Sequence, residues 1–260
     1  MKNVLLSTRD LRKVYGKRNS KFTALKGIDL EIETGESVAI IGKSGSGKST
    51  LMHLLALLDT PTSGTIKLNG KNTSKLKKRK LNRLRNKEFG FVFQSFFMNS
   101  NDTVLNNVIL PLKIAGIRRK ERRRRAMEAL KTVELADKAK NKANDLSGGQ
   151  KQRVCIARAI INNPKVIFAD EPTGNLDSAT GAKIEELLFS LNREKGITLI
   201  IVTHDEELAQ KCSRRIRITD GQIVTDKDTI AKHNKKLIED SDNDGMLDKS
   251  HIKEIEVEEE

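Results

Sequence analysis

Residues 37–50, SVAIIGKSGSGKST, decide the fold of this chain. The run SVAII (37–41) is typical of a strand that is buried on both faces of a parallel sheet. The following GKSGSGKST (42–50) matches the pattern G-x-x-x-x-G-K-[ST] and leads into the helical pattern KSTLMHLLALL (48–58). A strand, a glycine-rich loop and a helix in this order predict an α/β fold of the P-loop NTPase type, with a mostly parallel, RecA-like core sheet.

The glycine-rich loop predicts a site for nucleotide phosphates and Mg²⁺. Glycines let backbone N–H groups turn inward around phosphates, and the N-terminus of the next helix adds partial positive charge. Lys48 can reach the β- and γ-phosphates, and the Ser49 hydroxyl can bind Mg²⁺. The predicted phosphate contacts are Gly42, Lys43, Ser44, Gly45, Ser46, Gly47, Lys48, Ser49 and Thr50.

A second buried strand ends in two carboxylates. The run KVIFA (165–169) leads directly into Asp170 and Glu171. A carboxylate at the end of a strand can hold the water shell of Mg²⁺, so Asp170 is predicted to be a metal residue. Glu171, one residue further on, can polarise a water for attack on the γ-phosphate and is predicted to be catalytic.

The remaining strand signals predict a second, smaller sheet. Segments 3–15, 22–33 and 64–70 alternate apolar and polar residues, which is typical of an antiparallel β subdomain with one buried face. TLIIV (198–202) adds a third buried strand to the core sheet, and a helix is predicted over 178–196.

Helical periodicity replaces the strand signals between Asn101 and Asp145. We therefore predict an α-helical subdomain, at about 95–150, inserted into one nucleotide-binding domain over 1–228. Residues 229–260 are polar and then acidic, which predicts a flexible tail.

The acidic tail contains one pattern that resembles a metal site. DSDNDGMLD (240–248) has the D-x-D-x-D-G spacing of a calcium loop, but His251 stands where the closing bidentate Glu is needed. An acidic tail is therefore predicted here, and a calcium site is not.

Composition restricts the classes of protein that this chain can represent. Its 260 residues suffice for a sizeable core, and with 3% aromatic residues that core must be built from aliphatic side chains. Two widely spaced cysteines, Cys155 and Cys212, suggest neither a disulfide framework nor a zinc site. The start has too short an apolar run for a signal peptide, and no stretch is long enough to span a bilayer, so we expect a cytoplasmic protein.

The net charge of +14 is unevenly distributed. Ten acidic and two basic side chains lie between Glu239 and Glu260, which leaves +22 for residues 1–238. Much of this charge lies in KLKKRKLNRLRNK (75–87) and RRKERRRR (118–125). Such runs attract nucleic acid or an anionic membrane surface, although a solvated helix face is the simpler interpretation of each. No aromatic residues interleave with the charges, so a stacking platform for single strands is not supported.

A second glycine motif, LSGGQ (146–150), identifies a family. It is identical to the signature motif of ABC transporters, and the chain resembles their ATP-binding subunits over about 225 of its 260 residues. Four further positions match the motifs of this family in order. They are Tyr15 in LRKVYG, Gln94 in FVFQS, Asp177 in NLD (175–177) and His204 in VTHD.

The resemblance implies roles for these residues. It implies ATP as the nucleotide, adenine stacked on Tyr15, and a Gln94 side chain that senses Mg²⁺ and the membrane partner. It implies that His204 is the switch histidine, which contacts the γ-phosphate, and that His204 and Glu171 are the catalytic residues. The resemblance also implies that Phe96 and Phe97 lie where a transmembrane permease inserts its coupling helix.

The resemblance further implies that the active site is shared between two copies of the chain. Two subunits pack head to tail, and the signature residues of one cap the γ-phosphate held by Lys48 of the other. These signature contacts are Ser147, Gly148, Gly149 and Gln150, and Asp177 is implied as a further nucleotide-binding residue. Such a subunit works on the inner face of the cell membrane, attached through its permease.

Three segments point to a branch within the family. LLDTPTSG (57–64), NNVILPL (106–112) and DEPTGNLDSATG (170–181) resemble the lipoprotein-release, macrolide-export, antimicrobial-peptide-resistance and cell-division ATPases. Asn106 departs from a usual Glu, and Ala56 and Leu57 depart from a usual Gly-Gly, which leaves the subgroup open.

An alternative function is a soluble ABC ATPase that acts on nucleic acid or ribosomes. The basic body of the chain favours it, but those proteins carry a long coiled-coil insertion or two ATPase domains, and this chain has neither. A non-catalytic subunit is disfavoured because Glu171 and His204 are both present. The sequence thus favours the transporter ATPase and disfavours a nucleic-acid partner.

Overall fold

The strands form two sheets in the computed structural model, which describes residues 3–17 and 20–224. The strands are β1 Val4–Tyr15, β2 Phe22–Glu33, β3 Ser37–Ile41, β4 Ser63–Leu68, β5 Lys71–Asn72, β6 Phe89–Phe93, β7 Val166–Asp170, β8 Thr198–Val202, β9 Arg214–Thr219 and β10 Gln222–Val224. The α-helices are α1 Lys48–Leu55, α2 Lys78–Glu88, α3 Val104–Val108, α4 Leu110–Ile114, α5 Arg119–Thr132, α6 Gly148–Ile160, α7 Ser178–Lys195 and α8 Glu206–Gln210.

The smaller sheet is antiparallel and has the strand order β2-β1-β4-β5. Its inner face is aliphatic, with Leu6, Leu11 and Ile32 fully buried. The alternation over 3–15, 22–33 and 64–70 therefore predicted this sheet correctly. Its register places Tyr15 directly opposite Phe22, at the edge that leads towards the phosphate loop.

The larger sheet has the order β10-β9-β3-β8-β7-β6, and β3 pairs in parallel with both β8 and β9. Every residue of β3 and β8 is buried, which confirms both predicted strands with their bounds. The third predicted strand is confirmed with a shift of one residue, since β7 ends on Asp170. Parallel pairing of β7 with β8 brings Asp170 opposite Val202, so the loops after β3, β7 and β8 meet at one edge.

Helix α1 is shorter than predicted. The pattern over 48–58 suggested a helix to Leu58, but α1 ends at Leu55 because Leu57 has a left-handed backbone (φ 56°). The chain turns there towards Asp59, whose carboxylate accepts the Thr60 N–H at 2.6 Å. Helix α7, by contrast, has the predicted extent, with Gly196 as a left-handed cap (φ 63°).

Helices and short 3₁₀ turns occupy the chain from Val104 to Asp145, as the sequence predicted. Helices α3, α5 and α6 pack together around a core of Val108, Leu130 and Val154. The domain boundary at 228 and the limits of the helical subdomain at 95–150 stay predictions. The tail over 229–260, with its calcium-like pattern and His251, lies outside the described residues. No helix among the described residues is long and apolar enough to cross a membrane.

Candidate ATP-hydrolysis site

The phosphate loop leaves β3 at the carboxyl edge of the large sheet and continues into α1. Two of its glycines have backbones with positive φ in places where a Cβ would collide with main-chain atoms. A Cβ on Gly42 (φ 148°) would lie 2.2 Å from the Ile218 carbonyl oxygen, and one on Gly47 (φ 108°) would lie 2.7 Å from that of Ala24. The loop therefore requires glycine at both positions to turn its N–H groups inward.

Lys48 is held at the mouth of this loop. Its ammonium donates to the carbonyl oxygens of Gly42 at 2.8 Å and Lys43 at 3.0 Å. The ammonium has three donors, so one remains for an anionic ligand. The loop lines a cleft of about 260 Å³. Its lining residues are Phe22, Ala24, Ser44, Gly45, Gly47, Lys48, Ser49 and Thr50.

Glu171 and His204 are brought together across the ends of β7 and β8. Glu171 Oε1 lies 2.7 Å from His204 Nδ1 and accepts the His204 backbone N–H at 3.0 Å. The other carboxylate oxygen accepts the Thr203 hydroxyl at 3.1 Å. Glu171 also has a left-handed backbone (φ 45°), an energetically unfavourable conformation for a residue that precedes proline. The fold thus fixes this carboxylate in one direction at a cost in local strain.

Asp170 is half-buried beside Glu171. Burial raises the pKa of its carboxyl group above the ordinary value, while the charge of His53 lowers it, that of Glu171 raises it and that of Lys48 lowers it. The effect of the Lys48 charge places this carboxylate near the phosphate loop, and its role in holding Mg²⁺ stays a prediction. His53, one turn into α1, is a neighbour that the sequence reasoning did not identify.

Gln94 follows β6 and is tied to the segment after Glu171. Its amide nitrogen donates to Asn175 Oδ1 at 3.3 Å, and Asn175 Nδ2 donates back to the Gln94 carbonyl oxygen at 3.0 Å. Buried Gln152 adds a second link, because its amide nitrogen donates to the carbonyl oxygens of Phe93 and Pro172 at 3.2 and 2.6 Å. The side-chain oxygen of Gln94 is left as the atom that could bind a metal.

The signature motif begins α6 with a capping box. Ser147 Oγ accepts the Gln150 N–H at 3.3 Å, and Gln150 Oε1 accepts the Ser147 N–H at 3.0 Å. The Ser147 hydroxyl keeps its own proton to donate. Gln150, predicted as a ligand contact, uses its side-chain oxygen to hold this helix end, and Asp177 likewise caps α7 by accepting the Thr180 N–H at 3.0 Å. A hydrogen bond with the Thr180 side chain, and after it this bond to the Thr180 backbone, lowers the pKa of Asp177.

Gly149 is where the two capped helices touch. A Cβ on Gly149 would lie 2.3 Å from Thr180 Cγ2, and one on Gly148 would lie 3.4 Å from Leu176 Cδ2. The signature glycines therefore pack against the 176–180 segment, so the signature motif and the start of α7 are held in contact with each other.

We expect Gly149→Ala to destabilise the fold because the new methyl group overlaps the Thr180 methyl group. Overpacking of this kind costs roughly 1–3 kcal/mol, and alanine regains at most ~1 kcal/mol over glycine in a helix, so the net destabilisation is up to about 2 kcal/mol. Thr180→Ser removes the opposing methyl group and keeps the hydroxyl and the cap. Denaturant unfolding of both single variants and the double variant should show Gly149→Ala rescued by Thr180→Ser. Equal destabilisation by Gly149→Ala in both backgrounds would contradict the contact.

Two aromatic residues, Tyr15 and Phe22, stand opposite each other across β1 and β2, and the stacking of adenine on Tyr15 stays a prediction. Tyr15, the predicted adenine platform, donates its hydroxyl to Asp59 at 3.0 Å and has the Lys13 ammonium 4.8 Å from its ring centroid. Phe22 is more exposed (59%, against 39% for Tyr15) and lines the cleft at the loop. Sequence reasoning missed Phe22, although an aromatic residue paired with Tyr15 across two strands was the available signal.

A separate groove lies between α2, β6 and α4. It has a volume of about 450 Å³ and an apolar lining that includes Phe91, Phe93, Phe97, Leu110 and Ile114. Phe97 is 71% exposed and Ile114 is 70% exposed. Phe96 is partly buried instead, and its carbonyl oxygen accepts a hydrogen bond from Arg158 Nη2 at 2.9 Å.

Comparisons with known proteins show the family of this chain. Residues 25–174 match the family described as ABC transporter. The chain is 45% identical to a lipoprotein-releasing system ATP-binding protein LolD of Syntrophus aciditrophicus, over 85% of this chain and 99% of that protein. It is 46% identical to a macrolide export ATP-binding/permease protein MacB of Aggregatibacter actinomycetemcomitans, over 85% of this chain and 34% of that protein.

A solved structure has the same fold. The dimeric ATP-binding cassette MJ0796, in a post-hydrolysis state bound to ADP and Pi, superposes with a TM-score of 0.78 and 43% identity. The superposition covers 85% of this chain and 97% of that one. The matched family, these relatives and the convergence of Lys48, Glu171 and His204 at one sheet edge lead to one conclusion: the chain belongs to the ABC transporter family, as one of its ATP-hydrolysing, ATP-binding subunits.

Proposed function

We propose that two copies of this chain pack head to tail around two ATP molecules and drive a transmembrane permease. One observation carries the proposal. Ser147 and Gly148 are exposed at the start of α6, and no residue of 146–150 lines the cleft at the chain's own phosphate loop. The signature donors therefore face outward, where a second copy could present its γ-phosphate to them.

The proposed chemistry is attack of water on the γ-phosphorus. The loop N–H groups and Lys48 hold the phosphates and stabilise charge that develops on the γ-phosphoryl oxygens. Glu171 takes up a proton from the attacking water, and the ADP oxygen leaves on the opposite side. His204, hydrogen-bonded to Glu171, orients that carboxylate and contacts the γ-phosphate. The hydroxyl proton of Ser147 from the second copy completes the set of donors.

The residues present also fit Mg²⁺. This ion binds through few protein oxygens and keeps water and phosphate oxygens as its other ligands. Ser49 would supply a hydroxyl, Asp170 a carboxylate beside Lys48, and Gln94 its free amide oxygen. The bound ion would neutralise charge on the β- and γ-phosphates.

The permease is proposed to be of the export, lipoprotein-release or peptide-resistance type. The LolD relative is named as part of a lipoprotein-releasing system, and the MacB relative combines ATP-binding and permease parts in one chain. The exposed apolar groove beside Phe97 offers a place for a permease helix. The subunit would then lie on the cytoplasmic face of the membrane, held there by its partner.

Purification of the tagged full chain from its own membranes in mild detergent tests this function. We expect a multi-span membrane protein to co-purify, and Ile114→Glu to abolish that recovery because it places a carboxylate in the groove. Leu58→Glu changes a comparable exposed residue outside the groove, so it should leave recovery intact. Recovery of nucleic acid or ribosomes in place of a membrane protein would favour the soluble alternative.

A further inference from the structure

Most of the positive charge of helix α2 has no carboxylate partner among the described residues. Residues 75–87 contain eight Lys and Arg and no acidic residue. Within residues 3–17 and 20–224, only Lys87 of this run has a carboxylate within ion-pairing distance, that of Glu88 at 3.8 Å. Arg85 donates to uncharged partners, the Asn82 side chain and the Leu57 carbonyl oxygen.

The second basic helix, α5, contains two acidic residues that form ion pairs with arginines of the same helix. Glu121 accepts from Arg124 at 2.6 Å and from Arg125 at 2.7 Å, and Glu128 accepts from Arg124 at 2.6 Å. These pairs hold the pKa of Glu121 down at about 2. Two of the seven Lys and Arg of α5 are thus paired within the helix, whereas in the part of α2 that the structure describes only Lys87 has a carboxylate partner.

The contacts of α2 fix which side its charge faces. Leu81 and Leu84 pack against the core, and Asn82, Arg85 and Asn86 line the groove. The remaining face carries Arg79, Arg83 and Lys87, which are all exposed and form one row at i, i+4 and i+8. We call these three residues the outer row.

The outer row lies beside the groove, since Arg83 is separated from the groove residue Asn82 by about 100° around the helix axis. If a permease helix occupies the groove, as proposed above, the outer row lies next to that helix and therefore near the membrane surface. We propose that the outer row binds the anionic phospholipid headgroups next to the docked permease. Cations near such a surface are attracted to its negative potential.

Two observations favour lipid over nucleic acid at this site. Helix α2 contains no aromatic residue on which a base could stack. The charge also borders an exposed apolar surface, with Phe97, Leu110 and Ile114 uncovered, and this combination fits a membrane-protein interface better than a phosphate backbone.

Sedimentation of the full chain with lipid vesicles tests the proposal. The chain should bind vesicles of phosphatidylcholine with about one third phosphatidylglycerol, and binding should weaken as salt is raised. Replacing the outer row with Arg79→Gln, Arg83→Gln and Lys87→Gln should reduce partitioning on the order of 100-fold, at about fivefold for each cation. Pure phosphatidylcholine vesicles should bind neither protein.

The matched control is Arg119→Gln, Lys120→Gln and Arg123→Gln, three exposed cations of α5 that make none of its ion pairs with Glu121 or Glu128. It removes the same net charge and should retain vesicle binding within a fewfold. Solution ATPase activity should be normal in both triple variants, which shows that they are folded.

Several results would overturn the proposal. The first two are no binding of the wild-type chain to anionic vesicles, and vesicle binding by the outer-row variant that equals that of the wild type. The other two are equal losses of vesicle binding in both triple variants, and an outer-row variant that loses binding to a DNA duplex but not to vesicles. ATP-driven dimerisation in solution needs no lipid, so it reports on the proposed function separately.

Discussion

Replacing Glu171 by glutamine should preserve ATP binding and slow hydrolysis by roughly 10²–10⁴, the usual contribution of a general base. Glutamine has nearly the same shape: its amide oxygen can accept the His204 N–H in place of Oε1, and its NH2 group, in place of Oε2, can donate to the Thr203 hydroxyl oxygen. The loop N–H groups and Lys48 are untouched, so the nucleotide should still bind. Only the ability to take a proton from water is lost.

Single-turnover hydrolysis and ATP affinity, measured side by side, separate these two effects. Glu185→Gln provides a control with the same chemical change. Glu185 lies on α7, does not line the cleft at the phosphate loop, and forms an ion pair with the Lys211 ammonium at a distance of 2.7 Å. That control should hydrolyse ATP at close to the wild-type rate. Near-normal turnover in Glu171→Gln would remove Glu171 from the role of base.

The core of this fold could be predicted because local sequence and tertiary contacts agree there. Strands β3 and β8 are continuous apolar runs and are buried on both faces, so composition alone gives their bounds. Strand β9, RRIRIT, was missed because its arginines hide the alternation of Ile216 and Ile218, the two residues that are buried. Strand β6 was missed because a glycine, Gly90, interrupts its phenylalanines. The structure needs glycine there, since a Cβ on Gly90 would lie 2.6 Å from the Ala159 carbonyl oxygen, and no sequence pattern reveals that contact.

In the candidate site, too, motifs identified some residues, whereas roles that depend on tertiary contacts could not be predicted. Motifs located Lys48, Glu171 and His204, and the structure brings Glu171 and His204 within 2.7 Å. Motifs did not reveal that the side chains of Gln150 and Asp177 cap α6 and α7, and the contact of either residue with a nucleotide stays a prediction. Buried Gln152, which links the Gln94 segment to Pro172, belongs to no motif, because its role depends on carbonyl groups that are distant in sequence.

The second large effect concerns the signature motif and uses two inactive variants. Lys48→Ala removes the ammonium at the phosphate loop, and Ser147→Arg places a bulky cation where Gly148 and Gly149 begin α6. In the proposed dimer each site combines the loop of one copy with the signature of the other. Each variant alone should therefore lack ATP-driven dimerisation and hydrolysis, because both of its sites contain one damaged half.

A mixture of the two variants should regain function. The intact loop of a Ser147→Arg chain then faces the intact signature of a Lys48→Ala chain, so one site of the mixed dimer is whole and the other is doubly damaged. We expect ATP-dependent dimerisation by light scattering in the mixture, and hydrolysis as well if one site suffices. Scattering is the safer measurement, since strict coupling between sites could suppress hydrolysis without preventing association.

The value of the mixture is that a site contained in one chain predicts the opposite result. If Ser147 and Lys48 served the same ATP within one copy, every chain in the mixture would remain damaged, and mixing could restore nothing. Subunit exchange must be verified, for example with two distinguishable tags, so that mixed dimers are known to form. With exchange established, a mixture as inert as its parents in both assays would show that the exposed start of α6 does not complete the site of a second copy.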